Sequence, residues 1–225
     1  MQPPRSLASS LATPALVLAG VLLVTGCAVT RTPAYTGLAS APQMQPNAQD
    51  DAEQRPYVYR SAVNWSDYKA VLVEPVSVYE GVDNQFGDLP QADRRELALY
   101  MTTEFNKQLA KHFTLSRTAA PGTLRLKLTL TGATTNTPVV STFTRFDLFG
   151  LPYNAVQSAR GKEGIFMGSV SYSVEIYDAM SNRLLQAFVA KQHPNAMNVA
   201  ATVGALSAAK TGIEIGAEQL LRDLQ

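Results

Sequence analysis

Two periods alternate along this chain, and the switches between them lay out a fold. Tyr68–Tyr79, YKAVLVEPVSVY, starts with Val71, Leu72 and Val73 in one apolar run, the pattern of a buried strand, and Pro75 ends it. After the loop EGVDNQFGD the spacing becomes three and four. Leu97, Tyr100, Met101, Phe105, Leu109 and His112–Phe113 form one helical stripe, while Arg94, Arg95, Lys107 and Lys111 fall largely on other faces. Pro90 suits the first turn of that helix, with Asp88 or Leu89 at its cap. TLRLKLTLTG, Thr123–Gly132, then alternates strictly: Leu124, Leu126, Leu128 and Leu130 against Arg125, Lys127, Thr129 and Thr131. Gly168–Asp178 repeats the pattern, with Val170, Tyr172, Val174 and Ile176 opposite Ser171, Ser173 and Glu175. In DAMSN, Asn182 accepts the left-handed conformation of a turn, so RLLQAFVAK returns as the hairpin partner. A last helix is expected from about Asn198 to Leu224, where Gly204, Ala208, Gly212 and Gly216 give a flat face for close packing on the sheet.

The order strand, helix, strand, long excursion, hairpin, helix predicts an α/β (α+β) domain, a two-layer sandwich of mostly antiparallel sheet with helices on one face. Strands with one polar face each predict a sheet covered on one side only. The domain is expected to span residues 57–225, ordinary single-domain size. Residues 28–56 are dominated by Thr, Ala, Pro, Gln, Ser and Asn, too few large apolar groups to offset the cost of ordering the backbone. They read as a flexible tether, in which only Tyr35 and Leu38 of YTGLAS offer a means of docking on the domain.

Leu11–Val24 is almost wholly apolar, interrupted by Thr13 and Pro14. It has about the length of a signal-peptide core, ~7–15 residues, and falls short of the ~20 needed to span a bilayer. The only cysteine of the chain, Cys27, follows directly. Val24-Thr25-Gly26-Cys27 resembles the bacterial lipobox, an aliphatic residue, a small residue, Gly or Ala, and an obligatory Cys. The resemblance implies cleavage of residues 1–26 as a lipoprotein signal peptide and acylation of Cys27, whose sulfur is the good nucleophile among side chains. It explains an otherwise odd cysteine in an exported chain, and two or three acyl chains, at about 0.8 kcal/mol per buried CH₂, anchor stably. Residues 27–56 are then a lipidated tether. By the same resemblance Ala28, where Asp would favour the inner membrane, implies the periplasmic face of the outer membrane.

Removal of residues 1–26 takes away Arg5 and leaves equal numbers of basic and acidic residues. No basic stripe marks a nucleic-acid partner, and charge offers no attraction to anionic lipid. His112 and His193 are the only histidines and lack ligand spacing. ARGKEG lacks the first glycine and the Ser or Thr of a phosphate loop, and no nucleophile elbow occurs. The acidic loop of Glu74, Glu80, Asp83 and Asp88 lacks the ordered spacing of a calcium loop. The reading is therefore a non-enzyme with no cofactor, no metal and no catalytic residue.

The excursion 138–165 is long for a connection and rich in aromatic groups, and such segments are often contact sites. Phe146, Leu148, Phe149 and Tyr153 are its candidate partner anchors.

The stretches WSDYKAVLVEPVSVY, LPQADRRELALYMTTEFNKQLAKHF, GTLRLKLTLTGATTNTPV and GSVSYSVEIYDAMSNRLLQAF together resemble the bacterial lipoproteins carrying the domain of unknown function 3313. The likeness covers almost all of residues 57–225 and departs at DAMSNRLL, where members often place Thr-Gly. Its motifs are structural, so it implies a fold, a location and the lipidated Cys27, and no activity. The expectation is a membrane-anchored accessory or adaptor with an envelope protein partner. The alternatives are a self-assembling structural protein, a homo-oligomer, and a small-ligand carrier or enzyme.

Overall fold

The computed structural model describes residues 32–135, 168–194 and 204–225. The chain divides into Met1–Arg31 and Thr32–Gln225, and only the second unit contains described residues. The strands are β1 (Gln45–Pro46), β2 (Tyr57–Arg60), β3 (Ala70–Val73), β4 (Ser77–Val78), β5 (Thr114–Leu115), β6 (Thr123–Ala133), β7 (Val170–Asp178) and β8 (Leu184–Gln192). The helices are α1 (Gln91–Leu109) and α2 (Ser207–Asp223).

All eight strands join one sheet in the order β1-β2-β8-β7-β6-β3-β5, with β4 pairing β6. From β1 across to β6 every pairing is antiparallel; β3 pairs β6 and β5 in parallel, and β4 pairs β6 likewise. The fold is thus the expected α+β sandwich with a mostly antiparallel, open sheet. Both edge strands are two residues long, which leaves little unpaired backbone to template a foreign strand. Among the described residues no helix is long and apolar enough to cross a membrane.

The alternation read in the sequence decides the packing. Leu124, Leu126, Leu128 and Leu130 of β6 and Val170, Tyr172, Val174 and Ile176 of β7 join one core with Leu97, Met101, Phe105 and Leu109 of α1 and Ile213, Ala217 and Leu220 of α2. Phe105 meets Tyr172 edge to face at 5.9 Å, a favoured aromatic geometry. The glycines of α2 let it sit close. A Cβ on Gly216 would fall 1.8 Å from the Tyr172 hydroxyl oxygen, and one on Gly212 would fall 2.8 Å from Val170 Cγ1. Tyr100 of α1 hydrogen-bonds Glu214 of α2, and Lys210 pairs with Glu96 at 2.7 Å, so the helices clasp each other at their outer margin. Pro90 stands at the cap of α1 rather than in its first turn, a position where its missing N–H costs no helical bond. Asn182 takes φ +55° in the β7–β8 turn, as expected.

Two expectations change. The sheet is not covered on one face only, and residues 34–56 are not a free tether. Tyr35, Leu38 and Met44 form a second core with Tyr79, Leu184, Ala187 and Val189, on the face opposite the helices. The segment then continues into β1, which pairs with β2. Composition averaged over 28–56 hid these residues because they are sparse. Three buried side chains suffice when the sheet supplies the rest of the contact.

Candidate functional site

The outer face of the sheet carries the polar half of the alternation. Lys127 of β6 stands directly opposite Glu175 of β7, and Thr129 opposite Ser173. Residues 34–44 lie across this face as a strap built from consecutive turns: Leu38 N–H donates to the Tyr35 carbonyl at 3.0 Å, Ala41 N–H to Leu38 at 3.1 Å, and Met44 N–H to Ser40 at 3.1 Å. The strap makes no ladder with the strands beneath it. Its backbone N–H groups donate instead to side chains: Thr36 to Asp83 Oδ2 at 3.2 Å, Gly37 to the Tyr79 hydroxyl at 3.0 Å, and Ser40 to Glu175 Oε1 at 2.8 Å.

Glu175 is fully buried. Besides the Ser40 N–H, its Oε1 accepts from the Tyr177 hydroxyl at 3.2 Å, and its Oε2 pairs with Lys127 Nζ at 3.2 Å. A buried carboxylate needs such partners, since desolvating an ion costs several kcal/mol. Lys127 reaches it from an open groove of about 360 Å³ between the strap and β4. Burial, and next the Glu175 charge, push the Tyr177 phenol up to about 12, so it stays a neutral donor. Arg125 lies over the same ring at 4.3 Å and pairs with Glu74 at 2.7 Å.

The second anchor of the strap is Tyr35, wholly buried with φ +52°. A left-handed backbone costs a residue with a Cβ about 1–2 kcal/mol, so packing must hold it there. Tyr79 does so edge to face at 5.3 Å. Burial raises the Tyr35 phenol, opposed by the Thr131 and Ser171 hydroxyls beside it. Burial and the bond to Asp83 likewise raise the Tyr79 phenol. Tyr79 donates to Asp83 Oδ1 at 2.7 Å while accepting from Gly37. Gly81 is needed at the mouth of this cluster, because a Cβ there would lie 2.3 Å from the Tyr79 ring. Ser40 Oγ and Ser173 Oγ are buried without a hydrogen-bond partner among the described residues, so the fit of strap to sheet is less complete than that of the helices.

Cys27 and the excursion residues Phe146, Leu148, Phe149 and Tyr153 lie outside the described residues. The flanks of the excursion are described and tied together: Thr134 N–H donates to the Ser169 carbonyl at 2.9 Å and Ser169 N–H to Thr134 Oγ1 at 2.8 Å. His112 is exposed against Phe113, and His193 is half-buried near the Pro194 carbonyl. Among the described residues no three His, Cys, Asp or Glu groups are placed to hold a metal ion. The residues that build the strap site, Tyr35, Ser40, Tyr79, Asp83, Lys127 and Glu175, were not singled out together in the sequence. The available signal was the opposite charges on the polar sides of β6 and β7.

Among solved structures, the chain is similar to the PelC dodecamer protein from Paraburkholderia phytofirmans, at 11% identity over 73% of this chain and 94% of that one, TM-score 0.37. It is similar to protein XCC0632 from Xanthomonas campestris at 9% identity, over 68% and 81% respectively, TM-score 0.34. Protein CT253 from Chlamydia trachomatis matches at 12% identity, over 70% and 93%, TM-score 0.33. No curated protein matches the chain. A family model described as "Protein of unknown function (DUF3313)" matches residues 34–220, a span that opens at the strap.

Proposed function

We infer a function from one premise: the chain belongs to the DUF3313 family of proteins of unknown function. We propose that it is a lipoprotein of the cell envelope, held through Cys27 at the periplasmic face of the outer membrane, where it acts as a non-enzymatic accessory or adaptor. The observation that carries the reading is the lone cysteine at the end of Val24-Thr25-Gly26-Cys27, directly behind an apolar run of signal-peptide length.

The strap gives the anchor its mechanical sense. Because Tyr35, Leu38 and Met44 are packed on the sheet, residues 35–44 belong to the domain and not to the tether expected over residues 27–56. On the outer face Tyr79, Asp83 and Glu175 accept the N–H groups of this segment, which suits a scaffold rather than a reaction centre. The excursion 138–165 remains the proposed partner contact, through Phe146, Leu148, Phe149 and Tyr153. The described residues on either side of it are tied to each other, Ser169 N–H donating to Thr134 Oγ1 at 2.8 Å.

Mass analysis of the N-terminal peptide tests the anchor. The expected product begins at Cys27 and carries acyl chains, and the wild-type protein floats with membranes while Cys27→Ala does not. An unacylated chain that retains residues 1–26, or one cut elsewhere, overturns the reading. Photocrosslinking from Phe146, Phe149 and Tyr153 in cells tests the adaptor role: a band with a different envelope protein supports it, and self-crosslinks alone favour self-assembly.

A further inference from the structure

We propose that the Tyr79–Asp83 loop is the bilayer-facing end of the domain and lays Val82 against the lipid surface; this rests on the anchoring of Cys27. Val82 is the most exposed large apolar residue among those described, at 104%. It sits within the loop that grips the start of the strap: Asp83 accepts from Thr36 N–H, and Tyr79 from Gly37 N–H. Thr36 is nine residues beyond Cys27 in the sequence. A chain spans at most about 3.3–3.6 Å per residue, so the grip lies within roughly 30 Å of the acylated residue.

The topology says which end this is. Gln85 N–H donates to the Thr131 carbonyl, and Gln85 bridges Gly132, so the loop lies at the C-terminal end of β6. The β7–β8 turn lies at the other end, where Ala179 N–H donates to the Thr123 carbonyl. At about 3.3 Å per residue along β6, the two ends are on the order of 30 Å apart. Met180, exposed at that far turn, is the natural counterpart. The strap therefore begins at the Val82 end. Equal numbers of acidic and basic residues after Arg5 leave no net charge to draw the domain to lipid, so the contact is a shallow apolar one, with Glu80 exposed beside it at the water boundary.

The test uses the full acylated protein in phosphatidylethanolamine–phosphatidylglycerol vesicles. Acylation consumes the thiol of Cys27, so Val82→Cys and Met180→Cys each supply one reactive thiol for a polarity-sensitive fluorophore. Both sites are exposed, so neither substitution strains the fold. The expected result is a blue-shifted probe at 82, quenched several-fold more than the probe at 180 by spin-labelled lipid in the same vesicles. Equal quenching at the two positions, or stronger quenching at 180, overturns the lipid contact while flotation leaves the anchor standing. Protein that carries no acyl chain by mass and does not float overturns the anchor and the contact together.

Discussion

The two faces of the sheet are held by different physics. On the helix side, β6 and β7 present eight apolar side chains, none more than 1% exposed, to two helices that also grip each other. Apolar packing of that kind is spread over many contacts and yields only as a whole. On the outer side the sheet presents Lys127, Thr131, Ser173 and Glu175, and a short strap is fixed by three directed N–H bonds and the buried side chains of Tyr35, Leu38 and Met44. The strap is therefore expected to open without either helix. One side makes the domain stable, and the other makes its N-terminal attachment definite.

The widest gap is expected where a large side chain leaves the helix side. Phe105→Ala should cost about 3–5 kcal/mol in urea unfolding; a loss no greater than that from a strap variant would break the comparison. Next comes Lys127→Ala, which strands the Glu175 carboxylate. Lys127 is one-third exposed, so the cost should fall at or below the low end of the range for a broken buried pair, about 2–3 kcal/mol. Lys127→Ala combined with Glu175→Leu should recover most of it, and a double-mutant cycle with no recovery would show that the charge is not what matters. Tyr35→Ala should act locally: exchange of the Gly37 and Ser40 amides should quicken by roughly 10–100-fold, as expected of a sub-global opening, while the amides of Leu126 and Ile176 keep their protection. Uniform quickening would make the strap part of the global core.

The smallest effect belongs to the β7–β8 turn, outside both faces. The Ser181 N–H and hydroxyl hold the Asp178 carboxyl below its usual range, joined by the Tyr68 hydroxyl and Met180 N–H. A depressed folded-state value stabilises above the unfolded carboxylate pKa of about 3.9 and is lost as pH falls through the lower folded value. The Tm difference between wild type and Asp178→Asn should therefore be present at neutral pH and shrink on acidification. A difference that grows in acid would reverse the sign.

The helix side was legible because its signal is periodic. Alternating leucines in β6 and the Leu97–Met101–Phe105–Leu109 spacing each name a face without any partner being known. Gly212 and Gly216 of the expected row announced close packing, which Val170 and Tyr172 now explain, while Gly204 stands before α2 with open space where a Cβ would lie. The strap had no period to read. Tyr35, Leu38 and Met44 are separated by polar and small residues, and what orders them lies far along the chain, at Tyr79, Leu184 and Val189. Lys127 and Glu175 were correctly placed on polar sides, yet their pairing depends on a register that a bulge near Thr131 adjusts. The side chains of a long-range site were visible; their meeting was not.

That distance has a temporal side. Ser40 and Glu175 are separated by 135 positions, so their bond closes a loop over most of the domain. Loop closure of that length is entropically unfavourable until the surface it joins exists. The strap is therefore expected to dock last, once β6, β7 and β8 have assembled beneath it.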